Sequence, residues 1–482
     1  MLSEDLLLSI IHYIPDQKKK KYLTACGEKL YNYIKDTKQK ILLDTICDYN
    51  AYKDLKLELF YMNYTKRNLE KNDLEIIKLR NIVEIDLSRS RIYVDYQKLP
   101  NHIVKIKGCD QSNFPDHITH ITFTNYFNKP VTNLPKNLEY LEFGVNFDQN
   151  INLLSQNKLK VLILGEKFNK NLYALPKNLK KIIFHPLSLF SESIDNLPDS
   201  VEYIKMNNSY DKYVTKLPIN LKYLCCGSMK LRVKKYPENL QYLDLKSCKD
   251  YDATKLSQTL PKNLHFLKLP SQSRKNILNL PENLKHLIVN DSFNRHIEKI
   301  PKTLKSIVFG RNFNKCICGL PDTVKKIKFG RHFNCPLNIA SKNLKQINFG
   351  YRFNKNIDNL PNNIRIINFY QNGRFNKKIN NLPKSLKFLK LNDNFNSNIN
   401  LFGLDIELKC ITFGKYFNKS IKHLSNNVEI IHLDFSERFD KKIVKLPIKL
   451  KKIFINENYK YLDYLVNKFG KKIDIEICKN IV

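Results

Sequence analysis

One dipeptide constrains this chain more than any other feature: Leu-Pro, or a near variant, returns at an almost fixed interval. The prolines are Pro100, Pro115, Pro135, Pro176, Pro198, Pro218, Pro237, Pro261, Pro281, Pro301, Pro321, Pro361, Pro383 and Pro447, so 14 of the 19 prolines share one slot. Their spacings cluster at 20 to 22 residues. Where proline is missing, Gln156, Ser341, Asp405 and Ser425 keep the register. About 17 units run from Pro115 to the Pro447 unit, with degenerate units upstream at Leu79 and Pro100. A period of this length is the mark of a stacked array, because one such unit cannot bury its own apolar side.

Counting from the proline slot, apolar residues recur at +3, +6, +8, +12, +16 and +19. In the Pro301 unit these are Leu304, Ile307, Phe309, Phe313, Ile317 and Leu320. The +6/+8 pair has the period of a strand, which predicts one rung per unit of a parallel sheet, with rungs about 4.8 Å apart. Gly144, Gly165, Gly227, Gly310, Gly330, Gly350 and Gly414 hold +9, a bend needing unusual dihedrals or close backbone approach. Asparagine holds +13 at Asn128, Asn169, Asn294, Asn314, Asn334, Asn354, Asn396 and Asn418. Stacked on itself, that column predicts a ladder in which side-chain amides bond the backbone of the neighbouring coil.

The pattern LPxxLKxIxFGxxFNKxI resembles the FNIP repeat, a relative of leucine-rich repeats, over roughly residues 79–459. The resemblance implies a leucine-rich-repeat-like solenoid, an elongated curved parallel β-sheet of about 17 coils. Residues 81–459 would form it and 460–482 a short α/β cap, with Tyr461–Phe469 as a helix, Gly470 its stop and Ile473, Ile475 and Ile477 a strand.

The first 80 residues read differently. Leu6, Leu7, Ile10, Ile11 and Ile14 make an apolar helical stripe after Ser3, and Pro15-Asp16 ends it. Stripes at Leu23, Cys26, Leu30 and Ile34, and at Ile41, Leu42 and Ile46, predict two more short helices. The order LSEDLLLSIIHYIPDQKKKKYLTACGEKLYNYI resembles an F-box in residues 1–50, with 51–80 as a linker or N-terminal cap. That resemblance implies a Skp-type adaptor and cullin complex as partners, docked through Leu6, Ile10, Ile11, Ile14 and Pro15. A helical cap for the array is the other reading. F-box and FNIP repeats together resemble proteins of amoebae and their giant viruses.

No catalytic signature interrupts the repeat: no phosphate-binding loop, no G-x-G-x-x-G, no H-E-x-x-H and no G-x-S-x-G. The expectation is a protein without enzymatic activity, cofactor or metal. His117 and His120 lack partners at metal-site spacing, and Cys316, Cys318 and Cys335 fall in different slots, as thiols would. With 11 cysteines and no C-x-x-C, reduced thiols are expected. The opening is acidic and no apolar run could span a bilayer, which predicts an intracellular protein, cytoplasmic or nuclear, without membrane contact.

Surface columns then carry the function. The +5 column reads Tyr203, Tyr223, Tyr242 and Phe266 over consecutive units, either a target-gripping ridge or ordinary cross-strand packing. The +4 column reads Lys305, Lys325, Lys345, Arg365, Lys387 and Lys409. The net charge of +36 reflects either AT-rich codon usage or selected basicity, and an organised column favours selection. Taken with these columns, the F-box resemblance implies a substrate receptor of a cullin-RING ubiquitin ligase, holding a target with an acidic surface. The alternative is a stand-alone basic scaffold that holds nucleic acid or acidic proteins.

Overall fold

Each coil opens on a turn built around the proline slot. The slot's carbonyl accepts the N–H of +3, as in Leu284 to Pro281, Leu304 to Pro301 and Val324 to Pro321, each at 3.1 Å. Proline suits this position because its carbonyl is used and its missing N–H is not needed. Ser425 does the same for Val428 at 3.2 Å, which is why the register survives without proline.

The computed structural model describes residues 82–88 and 94–479, apart from 153, 155–156, 249–259, 271–279, 298, 318 and 340, together with the backbone of strands 41–43 and 60–63. The chain divides into two compact units. The first comprises residues up to Leu221 with Gly227–Met229, and the second Lys222–Cys226 with everything from Lys230 onward. The adaptor-docking candidates Leu6, Ile10, Ile11, Ile14 and Pro15 lie outside the described residues.

In the second unit, strands pair in parallel, each with the next, from Tyr223–Cys225 through Ser306–Val308, Lys326–Lys328 and Gln346–Phe349 to Asp474–Cys478. Ile307, Ile327, Ile347 and Ile367 stand in one buried column, so the register equals the repeat length. The first unit is built alike, from Lys105–Cys109 to Tyr203–Lys205. Burial alternates along the strands, as in His120–Phe123 and Ile366–Phe369, leaving +5 and +7 outward.

Behind the sheet, phenylalanines at +12 stack coil upon coil. Phe293, Phe313, Phe333 and Phe353 have ring centroids 6.0–6.2 Å apart and nearly parallel planes. The +8 ring of each coil packs on its own +12 ring, at 4.1 Å for Phe309–Phe313 and 3.8 Å for Phe329–Phe333. Beside them runs the +13 ladder. Asn294 Oδ1 accepts the N–H of Asn314, Asn314 that of Asn334, and Asn334 that of Asn354, at 2.8, 2.8 and 2.9 Å. The bonding group is the side-chain carbonyl oxygen, so an aspartate serves equally: Asp148 accepts the N–H of Asn169 at 2.9 Å.

At Gly330 the +9 position needs close approach, since a Cβ there would sit on the Gly310 carbonyl oxygen, well inside contact distance. No flexible side chain is available to give way. Gly330→Ala should therefore destabilise the second unit by about 1–3 kcal/mol, the usual cost of overpacking. Urea unfolding checks this, and an unchanged midpoint would show that the coils can part without loss.

Two expectations are corrected. The start of the third helical stripe is a strand, while Ile46 lies outside the described residues: Ile41–Leu43 pairs in parallel with Phe60–Asn63, which pairs with Ile82–Asp86. Residues 60–63 are accordingly a rung, where a linker or cap was expected. The Ile41-to-Phe60 and Phe60-to-Ile82 offsets match the repeat period, and stacking on a neighbouring rung outweighs local helical spacing. At the other end, the helix Leu462–Phe469 forms with Leu465 buried, while Val466 is exposed. Strand Asp474–Cys478 then joins the same sheet beside Lys452–Asn456.

Candidate interaction surface

The outward columns of the sheet carry the candidate residues. Tyr223, Tyr242 and Phe266 lie in register on adjacent strands of the second unit. Their rings stack at 4.0 and 4.1 Å with planes 10° and 6° apart. Faces are used against one another, so a partner would meet ring edges and phenol hydroxyls. Tyr203 belongs to the first unit, where Lys181 Nζ lies 4.5 Å from its ring centre.

The +4 residues stand immediately before the strands, and their backbone bonds run from coil to coil. Lys305 N–H donates to the Lys285 carbonyl, Lys325 to Lys305, Lys345 to Lys325 and Arg365 to Lys345, at 2.7–2.9 Å. Their backbones are therefore held at the strand repeat, about 4.8 Å apart. Lys285 belongs to the same column. Lys387 and Lys409 are countered, by Glu407 at 3.9 Å and Glu429 at 3.1 Å. Among the described residues, no carboxylate is in ion-pair contact with Lys305, Lys325, Lys345 or Arg365.

From Lys285 to Thr412 no acidic residue occupies +4, +5 or +7, while Lys326, Lys328 and Lys390 add cations. Elsewhere the array pairs charges between coils: Lys160 with Glu139 at 2.8 Å, Lys180 with Glu202 at 3.0 Å, and Lys452 with Asp474 at 3.1 Å. Codon usage supplies lysine everywhere but does not decide which lysines meet carboxylates. The uncountered stretch is local.

At the far end of that stretch, His432 lies in ion-pair contact with Asp434 at 3.3 Å and stacks on Phe454 at 4.2 Å. The Asp434 carboxylate, followed by the Cys410 thiol, pushes the imidazole up to about 9. The unfolded value is near 6.5. A raised folded pKa stabilises fully below about 6.5, and that contribution is lost as pH rises through about 9. Urea midpoints should accordingly fall between these pH values, and His432→Gln should remove that part of the pH dependence.

The described cysteines form no disulfide with one another, with Cys316 exposed and Cys335 half-buried, while Cys318 lies outside the described residues. Among the described residues, no group of three or more His, Cys, Asp or Glu is placed to hold a metal ion, and no helix is long and apolar enough to cross a membrane. Sequence reasoning missed Lys285, Lys326, Lys328 and Lys390, and also Arg311, Arg331, Arg352 and Arg374 in the turn after the strand. The signal was present for two of them as Phe-Gly-Arg at 309–311 and 329–331.

Comparison with known proteins agrees with this geometry. The FNIP Repeat family model matches residues 110–144 and 296–332. FNIP repeat-containing protein L162 of Acanthamoeba polyphaga mimivirus is 32% identical over 157 residues, 29% of this chain and 27% of that relative. The match thus spans about a quarter of the relative's own length. Among solved structures, CroV588, described as a novel circular LRR protein structure, is similar with a TM-score of 0.59 at 24% identity. That alignment covers 88% of this chain and 79% of CroV588, and the likeness is one of fold.

Proposed function

We propose, from a chain that carries FNIP repeats on a leucine-rich-repeat-like parallel sheet, that this protein is a non-enzymatic binding protein whose outward sheet face holds a protein target. The observation that carries the reading is the uncountered basic stretch from Lys285 to Arg365, set in an array whose +4 column pairs Lys160 with Glu139 and Lys180 with Glu202 elsewhere. Like charges held a few ångströms apart cost stability unless a partner supplies the opposite sign. An acidic target surface does so, and the adjoining edges of Tyr223, Tyr242 and Phe266 add contact area of the kind found at interface hot spots.

The finer reading is a substrate receptor of a cullin-RING ubiquitin ligase. Its support is the F-box resemblance of residues 1–50, with Leu6, Ile10, Ile11, Ile14 and Pro15 docking a Skp-type adaptor. Ubiquitin transfer then belongs to partner subunits. A pulldown comparing the full chain with a form lacking residues 1–40, which keeps the Ile41–Leu43 rung, tests it. Adaptor captured only by the full chain, with the truncated form keeping its unfolding transition, supports the receptor; no adaptor with the full chain ends that reading.

The same basic stretch favours one other occupant, nucleic acid. Phosphate contacts must weaken as salt rises, so filter binding across a salt series is decisive. Absent binding, or binding indifferent to salt, removes it.

A further inference from the structure

After each strand the chain bends at +9, and the next two positions form columns of their own. The first reads Asp291, Arg311, Arg331, Tyr351, Gln371 and Asp393. Backbone bonds fix the second against it: His332 N–H to the Arg311 carbonyl at 2.9 Å, then Arg352 to Arg331 and, from +13 of the Pro361 unit with its two extra turn residues, Arg374 to Tyr351, both at 2.8 Å. Because Gly330 and Gly350 each lie against the carbonyl of the preceding coil, these columns sit at the closest spacing the stack permits.

Tyr351 is gripped from both sides. The guanidinium carbon of Arg331, one coil before, is 5.0 Å from its ring centre, and that of Arg374, one coil after, is 5.2 Å away. A hydrogen bond from Arg374 draws the phenol below its ordinary range, with Arg331 and Arg352 adding to the pull. Burial, then Arg352, Arg311 and Arg331, hold the His332 imidazole below its usual range. All four arginines are exposed. No carboxylate among the described residues is in ion-pair contact with any of them, although the same column pairs Lys415 with Glu437 at 3.0 Å further along.

The cluster is bounded. Asp291 Oδ1 accepts the N–H of Arg311 at 2.9 Å, and Asp393 Oδ1 accepts that of Lys415 at 3.3 Å. Carboxylates thus stand in the column at both ends of a patch only a few coils long. A nucleic-acid strand would have to run past them, whereas a compact anion would not.

We propose that Arg311, Arg331, Arg352 and Arg374, arranged about Tyr351, bind a phosphate monoester on the target protein, that is, a phosphorylated side chain. Guanidinium forks match phosphate oxygens two at a time, which lysine cannot do. A phosphate monoester carries about −1.5 to −2 charges on three acceptor oxygens, enough to engage several guanidinium groups at once. The inference rests on a protein occupying the sheet face.

The test uses the full-length protein and fluorescence anisotropy with three probes. They are a degenerate peptide pool with one fixed phosphoserine, the same pool with serine, and a short single-stranded RNA. The phosphorylated pool should bind at least about tenfold more tightly than its serine counterpart, a difference of ~1.4 kcal/mol. Inorganic phosphate should displace it. Arg331→Gln with Arg374→Gln should remove the preference, while Lys305→Gln should keep it. Should the double variant lose its unfolding transition, Arg352→Gln, exposed and outside the ring sandwich, replaces it. Equal affinity for the two pools overturns the site, as does a preference untouched by the arginine variants, or binding of RNA alone. The titration needs neither adaptor nor natural target, so its failure and that of the receptor reading are separable.

Discussion

Replacing Phe333 with alanine is expected to cost about 3–5 kcal/mol, the most of any single change considered for this chain. The ring is almost wholly buried and touches three others, with centroids 3.8 Å from Phe329, 6.2 Å from Phe313 and 6.0 Å from Phe353. Removing it empties one layer of two columns at once. The coils above and below are held by Asn314 and Asn334 through the +13 ladder, so the backbone cannot readily close over the gap. Phe333→Leu, which fills most of the space, should cost under about 1.5 kcal/mol. Urea unfolding gives the two differences. In a stacked array the loss should also be local, with amide exchange rising first in the neighbouring coils. A loss below about 1 kcal/mol for alanine would mean that the phenylalanine columns are not what binds coil to coil.

That layer is legible in the sequence because the repeat states it many times over. Phe309, Phe313, Phe329 and Phe333 occupy equivalent slots in consecutive units, and a slot filled by a large apolar side chain in unit after unit of a stacked fold has to face inward. The place of the asparagine column was equally legible, while its chemistry was visible only in part. The acceptor is the carbonyl oxygen, so aspartate at Asp148 belongs to the same ladder.

What stayed hidden depends on partners far away in sequence. Ile41–Leu43 has too few residues for its period to separate helix from strand, and the pairing with Phe60–Asn63 that decides the matter is non-local. The aromatic column could be located, but not the fact that Tyr223, Tyr242 and Phe266 spend their faces on one another. Charge posed the same difficulty. Lys387 and Lys325 share a slot, yet one has Glu407 within reach and the other, among the described residues, is in ion-pair contact with no carboxylate. Column membership is a property of the sequence, whereas countercharge is a property of register between coils.

The second large effect follows from that distinction and has an unusual sign. Lys409, Glu429 and Lys451 already show the countered form of the ladder, with Glu429 3.1 Å from one lysine and 2.6 Å from the other. Lys325→Glu with Arg365→Glu would copy that arrangement, placing each new carboxylate between basic neighbours one coil away. Every new cross-rung pair should add about 0.2–1 kcal/mol of stability, since repulsion is exchanged for attraction on an exposed surface. Binding should move the opposite way. Reversing two charges in the uncountered stretch removes attraction and adds repulsion toward an acidic target, on the order of tenfold in affinity for each, mostly through slower association. A protein that becomes more stable while its affinity falls on the order of 100-fold has lost a surface, not a fold. Binding measured against a urea midpoint for the same variant separates the two. Affinity and stability falling together would point to damage of the sheet, and unchanged affinity would show that the basic ladder is a solvated face carrying no partner.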